Sequence, residues 1–146
     1  MMLTNAIASY IATLCFAVIF NIRGNNKYWA AGGGMIAWVT YQLALSAGIS
    51  QVYSLLPASV LFSAYSEIVA RQLRTPVTTL IICALIPLVP GAGMYNTMFA
   101  VVQGSTTEAI ELGLKTLGQA GTLAAGVAFV STIANLITRV RRRLPL

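Results

Sequence analysis

Ile86-Pro87-Leu88-Val89-Pro90-Gly91-Ala92-Gly93-Met94-Tyr95-Asn96 sets two prolines and two glycines in the middle of an apolar run. A helix through this stretch must break, because proline has no N–H to donate and its ring clashes with the carbonyl one turn back. Pro87 and Pro90 thereby strip the helical partners from the carbonyls of Cys83 and Ile86. Gly91 and Gly93 add backbone freedom and allow another group to approach the main chain closely. In hydrocarbon, open backbone survives only where it is buried in protein or lines a wet cavity. If a second half-helix starts near Gly93, the N–H groups of residues 91–94 point into the same space as the open carbonyls. The donors suit a carboxylate, which the helix dipole also favours, and the acceptors suit an ammonium or another cation. Broken helices of this kind form substrate sites in secondary transporters. A proline kink that only shapes helix packing is the alternative reading.

The composition places that break in a membrane. Of 146 residues, 58% are hydrophobic and 8% charged, and the mean hydropathy is +0.80, as in an integral membrane protein. A single all-α transmembrane domain over 1–146 is expected, facing lipid or other helices over most of its surface and therefore an oligomer or a subunit of one. The net charge of +6 does not call for nucleic acid, since the basic residues fall between the apolar runs and at the C-terminus, where the positive-inside rule puts them. Cys15 and Cys83 lie within apolar runs without CxxC spacing and read as small buried hydrophobes. There is no His and no Asp, and the acids are Glu67, Glu108 and Glu111. An aspartyl dyad, a Ser/His/Asp triad and His-containing zinc sites are thereby excluded within this chain, so neither enzyme chemistry nor a metal or other cofactor is expected.

Five spans are predicted, at about 3–22, 28–48, 51–70, 77–103 and 118–138, the fourth broken at Pro87-Leu88-Val89-Pro90-Gly91. No basic residue precedes the first run while Arg23 and Lys27 follow it, which argues against a cleavable signal peptide. The second opens on interfacial Tyr28 and Trp29, and its Ala30-Ala31-Gly32-Gly33-Gly34 reads as a packing patch, with a hinge as the lesser alternative. In the third, Pro57 is a tolerated early proline or a mild kink. Glu67 lies one helical turn before Arg71, so an interfacial ion pair is the ordinary reading, and proton binding coupled to transport is the functional one. Residues 106–117 form an amphipathic segment at the interface, with Glu108, Glu111 and Lys115 on one face. Thr116, Ala120, Ala124, Ala128 and Thr132 then make a ridge of small residues suited to close packing.

Basic residues alternate by segment: Arg23 and Lys27, then Arg71 and Arg74, then Arg139, Arg141, Arg142 and Arg143, with no charge around 47–50. That predicts a multi-pass protein of the cytoplasmic membrane, its N-terminus outside and its C-terminus in the cytoplasm. By analogy, an odd number of spans suits a half-transporter whose inverted counterpart comes from another chain.

Three elements in register carry a family resemblance: Tyr65-Ser66-Glu67-Ile68-Val69-Ala70-Arg71, then Arg74-Thr75-Pro76-Val77, then Ile86-Pro87-Leu88-Val89-Pro90-Gly91 followed by Tyr95. In these the chain resembles the threonine/serine exporter family, over nearly its whole length and least in the first span. It looks like the shorter, five-span half that occurs as a separate subunit in split bacterial members. The resemblance implies a secondary exporter of threonine and serine, or of succinate-like dicarboxylates in some split pairs, driven by the proton motive force. It implies a larger five-span partner with a cytoplasmic N-terminal extension, with a homo-oligomer as the other possibility. The positions it marks are Glu67, Arg71, Pro76, Pro87, Pro90, Gly91 and Tyr95.

On this reading a zwitterionic amino acid meets both sides of the break at Pro87, Pro90, Gly91 and Gly93. Its carboxylate lies at the N–H groups and its ammonium at the freed carbonyls or Glu67. Tyr95, Asn96 and Gln103 are the candidate side-chain contacts. A dicarboxylate needs a second cationic partner, and because no basic residue lies within a predicted span, Arg71 or the partner subunit would have to supply it. The reading from another class is an assembly subunit that scaffolds its partner without touching substrate.

Overall fold

The computed structural model describes residues 2–22 and 24–143, with side chains as far as 139. Arg23 and the side chains of Arg141, Arg142 and Arg143, which belong to the charge pattern, lie outside the described residues. The described chain is helical throughout: α1 Met2–Ile19, α2 Asn26–Ser46, α3 Gln51–Leu73, α4 Val77–Leu85, a 3-10 turn Ile86–Leu88, α5 Gly91–Val102 and α6 Thr106–Arg143.

Each boundary has a local cause. α1 stops at Ile19, earlier than the run of apolar residues, as the chain turns through Asn21 with φ of 55°, a left-handed conformation that asparagine tolerates better than most residues. α3 runs unbroken past Pro57 and ends at Arg74, also left-handed, whose N–H donates to the Ala70 carbonyl. Pro76 then holds Thr75 out of the helical region and opens α4. α6 has 38 residues and runs through both the amphipathic segment and the last predicted span without a break. At 1.5 Å per residue it is about 57 Å long, nearly twice the hydrocarbon thickness, so one end must project beyond the core.

Three helices, α1, α3 and α6, are long and apolar enough to cross a membrane. The pair α4 and α5, bent by 55° at the break, makes a fourth when counted as one span. α2 has the length, 21 residues, but not the hydropathy, so the count of five is not reached by length and composition. Its position explains the shortfall. α2 packs against α1, α3 and α4, and a helix surrounded by protein has less lipid to face.

The helices meet through small residues rather than large ones. The two core clusters contain Ala17, Ala30, Ala37, Ala58, Ala70 and Ala84, with Phe62 and Leu80 among the largest fully buried side chains. The three glycines of α2 face three neighbours: a Cβ on Gly34 would fall on the Thr13 hydroxyl of α1, one on Gly33 would come within 3.0 Å of Ala84 of α4, and one on Gly32 within 2.9 Å of the Tyr65 hydroxyl of α3. Ser9 Oγ donates to the Gly34 carbonyl at 3.0 Å, and Tyr65 donates to the Trp29 carbonyl at 3.1 Å. The glycine run is therefore a packing patch inside a continuous helix. The ridge on α6 behaves otherwise: Thr116 is buried, but Ala120, Ala124, Ala128 and Thr132 are exposed. The buried face of α6 is instead Ala109, Thr116, Leu123, Gly126 and Ala134, with Gly126 seated on Ser59 of α3.

Candidate functional site

The break forms where the prolines require it, but its hydrogen bonds are redistributed. The Cys83 carbonyl accepts from the Ile86 N–H, and the Ile86 carbonyl accepts from Val89 at 3.3 Å. Both oxygens expected to be open are closed by the tighter three-residue turns of the 3-10 segment. The open acceptors shift to Pro87 and Leu88, whose carbonyls meet no backbone donor among the described residues. The second half-helix starts at Gly91 rather than near Gly93. Gly91 donates to Val89 at 2.7 Å and Met94 to Pro90 at 3.1 Å, so of the N–H groups of residues 91–94 only those of Ala92 and Gly93 lack a backbone acceptor.

These groups border a cavity of about 420 Å³. Residues 87–93 form one wall, with Asn96 one helical turn further along α5. Trp38 and Tyr41 of α2 and Gln51 and Leu55 of α3 contribute, and α6 supplies Leu112, Lys115, Thr116 and Gln119. The rings of Trp38 and Tyr41 meet at 5.8 Å between centroids. The indole Nε1 of Trp38 is buried without a hydrogen-bond partner among the described residues. Thr116, its hydroxyl bonded to the Leu112 carbonyl at 2.7 Å, packs on Gly93 and ties the start of α5 to α6.

The cavity gathers Pro87, Pro90, Gly91, Gly93 and Asn96 from the predicted site and omits the other members. Tyr95 is 67% exposed and stacks on Phe99, and Gln103 is exposed at the end of α5. Glu67 is paired with Arg71 at 3.6 Å. Arg71 also donates to the Ala134 carbonyl at 3.2 Å and to the Thr138 hydroxyl at 3.1 Å, which fastens the end of α3 to α6. Along α3 Glu67 lies about 18 Å from Leu55, the nearer of the two cavity residues on that helix, too far to meet the same small solute. Lys115 and Gln119, by contrast, stand in the cavity wall. The polar face of residues 106–117 was the sequence signal for Lys115, and Gln119, one turn further, lies beyond that segment.

Several helices long and apolar enough to cross a membrane, one pair of them broken at a cavity large enough for a small solute, make an arrangement that transporters use for substrate sites. The sequence profile of the family described as Threonine/Serine exporter, ThrE, matches residues 5–133, and the chain belongs to that family. No curated protein and no solved structure matches it. It is a multi-pass membrane protein of a transporter family.

Proposed function

We propose that the chain is the smaller subunit of a split exporter of threonine and serine, working with a larger five-span partner of the same family that carries a cytoplasmic N-terminal extension. It crosses the cytoplasmic membrane five times, α2 included, with its N-terminus outside, and export is driven by the proton motive force. The observation that carries this reading is the cavity at the break, lined by Ala92 and Gly93 with unpaired N–H groups, by Pro87 and Leu88 with unpaired carbonyls, and by Asn96. An amino acid complements it, with its carboxylate at the N–H groups and its ammonium at the carbonyls. In this orientation the cavity, bordered by Gln51 just after the uncharged turn at 47–50, lies toward the outer side. That is where an exporter releases its cargo.

A second reading, export of succinate-like dicarboxylates, is favoured by one observation. The cation such a substrate needs is present in the cavity as Lys115, so neither Arg71 nor the partner has to provide it.

The deciding experiment is efflux of labelled threonine, serine and succinate from preloaded cells expressing this chain alone and then with the larger subunit. Efflux that needs both chains supports the split exporter and identifies its substrate. Efflux with this chain alone indicates a homo-oligomeric carrier. If a correctly assembled pair moves none of the three, the scaffold reading replaces the exporter.

A further inference from the structure

We propose that Lys115 is the counter-charge for the substrate carboxylate, an assignment that rests on the exporter reading above. Among the described residues it is the one charged side chain in the cavity wall. Glu111 precedes it by one helical turn, yet among the described residues no carboxylate lies within 4.0 Å of its ammonium, and the Glu67–Arg71 pair is elsewhere. Among the described residues the wall therefore carries a positive charge with no acid beside it. The same wall holds Ala92 and Gly93, whose N–H groups lack backbone acceptors at the start of α5, where an anion is favoured, and it holds Pro87 and Leu88, whose open carbonyls suit a cation. Lys115 is exposed at the cavity mouth, free to turn toward an anion that enters and to add its charge to the helix start at Ala92 and Gly93. Charge-assisted bonds of an ammonium to a carboxylate are roughly twice as strong as neutral ones, so Lys115 contributes more than any single amide in the wall.

The assignment also orients the substrate. A zwitterion places its carboxylate toward Lys115 and its ammonium away from it, at the carbonyls of Pro87 and Leu88. A dicarboxylate places one carboxylate at Lys115 and the other at the helix start. The shared chemistry is a carboxylate, and the two sources are separated by experiment.

The test measures efflux from preloaded cells by the two-chain complex, with its amount in the membrane quantified, for Lys115→Gln, Lys115→Arg and Glu111→Gln. Lys115→Gln is expected to raise the internal concentration for half-maximal efflux by about ten- to a hundredfold at unchanged complex level, as for loss of a hydrogen bond to a charged group. Lys115→Arg recovers most of the loss, and Glu111→Gln behaves as wild type. Threoninamide, which keeps the ammonium and hydroxyl but not the carboxylate, competes poorly with threonine in the wild type and about equally in Lys115→Gln. A shift for threonine and serine identifies an amino acid as the carboxylate's source, and a shift for succinate identifies a dicarboxylate. Thermal stabilisation of the solubilised complex by the transported solute, lost in Lys115→Gln, is the readout independent of turnover. An unchanged half-maximal concentration in Lys115→Gln overturns the assignment while leaving the exporter intact, as does an equal loss in Glu111→Gln, which would mark a structural ion pair. If the wild-type complex exports none of the three solutes, the exporter reading itself fails and the assignment with it.

Discussion

The Thr116 side chain fills the space that a Cβ on Gly93 would need, so the second half of the broken span starts in direct contact with α6. Gly91, two residues earlier, has open space at the same position. The two glycines therefore respond differently to one added methyl group. Gly93→Ala is expected to push α5 off α6 and reduce efflux at least tenfold, whereas Gly91→Ala retains most of it. Thr116→Ala should partly rescue Gly93→Ala, because it vacates the contested volume. A double-mutant cycle on efflux rates measures that coupling, and strict additivity would show that Gly93 acts without Thr116.

Asn96 lines the cavity, whereas Tyr95 and Gln103, neighbours on α5, do not. Asn96→Ala should lower efflux by about tenfold or more while the complex still assembles, the effect of removing a hydrogen bond to a charged group. Tyr95→Ala and Gln103→Ala should remain within about twofold of wild type, because neither side chain reaches the solute. Transport assays on the three variants at matched membrane levels decide this. A loss in Tyr95→Ala as large as that in Asn96→Ala would relocate the site to the exposed face of α5.

The break was legible because proline chemistry is local: Pro87 and Pro90 act on carbonyls within one turn of themselves. Which carbonyls end up open was not legible. The α-helical rule leaves Cys83 and Ile86 unpaired, but the chain tightens to three residues per turn and hands the deficit to Pro87 and Leu88. The far wall of the cavity was hidden for another reason. Helical periodicity shows that Glu108, Glu111 and Lys115 share a face, but not that the break covers part of it. The alanine ridge of α6 is a related case: within this chain it stays exposed, along an apolar groove shared with Ile81, Leu85, Val89 and Pro90. Spacing gives a face, and only the fold says whether Ala120, Ala124 and Ala128 meet a neighbour.

Arg71 holds more than Glu67. The ion pair at 3.6 Å involves a guanidinium about half exposed, and such pairs contribute about 1 kcal/mol at most. The bonds from Arg71 to Ala134 and Thr138 persist when Glu67 loses its charge. Arg71→Ala is therefore expected to lower the melting temperature of the solubilised complex clearly more than Glu67→Gln. Efflux through Glu67→Gln should still respond to an imposed pH gradient. Abolition of that response with the complex intact would return Glu67 to the proton pathway.

Gly126 and Gly121 lie on one helix in opposite circumstances. A Cβ on Gly126 would fall on Ser59, with the Leu56 carbonyl 3.4 Å away, and one on Gly121 would meet nothing. Gly126→Ala should force α3 and α6 apart and destabilise the protein by about 1–3 kcal/mol, in the range of overpacked interiors. Gly121→Ala should stabilise it by up to about 1 kcal/mol through helix propensity alone. Thermal unfolding of the two variants in detergent checks both signs, and a destabilising Gly121→Ala would show that this face is covered by another chain.

The remaining question about architecture is whether α2 crosses the membrane despite its glycines and polar ends, and it has a direct answer. Asn25 and Ser50 flank α2, and both are exposed. In a variant with Cys15 and Cys83 changed to alanine, a membrane-impermeant thiol reagent applied to whole cells should label Ser50→Cys at once. It should reach Asn25→Cys and Thr75→Cys only after the membrane is opened. The 21 residues of α2 measure about 32 Å, enough to span, and its packing among α1, α3 and α4 removes the need for a fully apolar surface. Labelling of positions 25 and 50 from the same side would leave α2 on one face of the membrane and reduce the crossings to four.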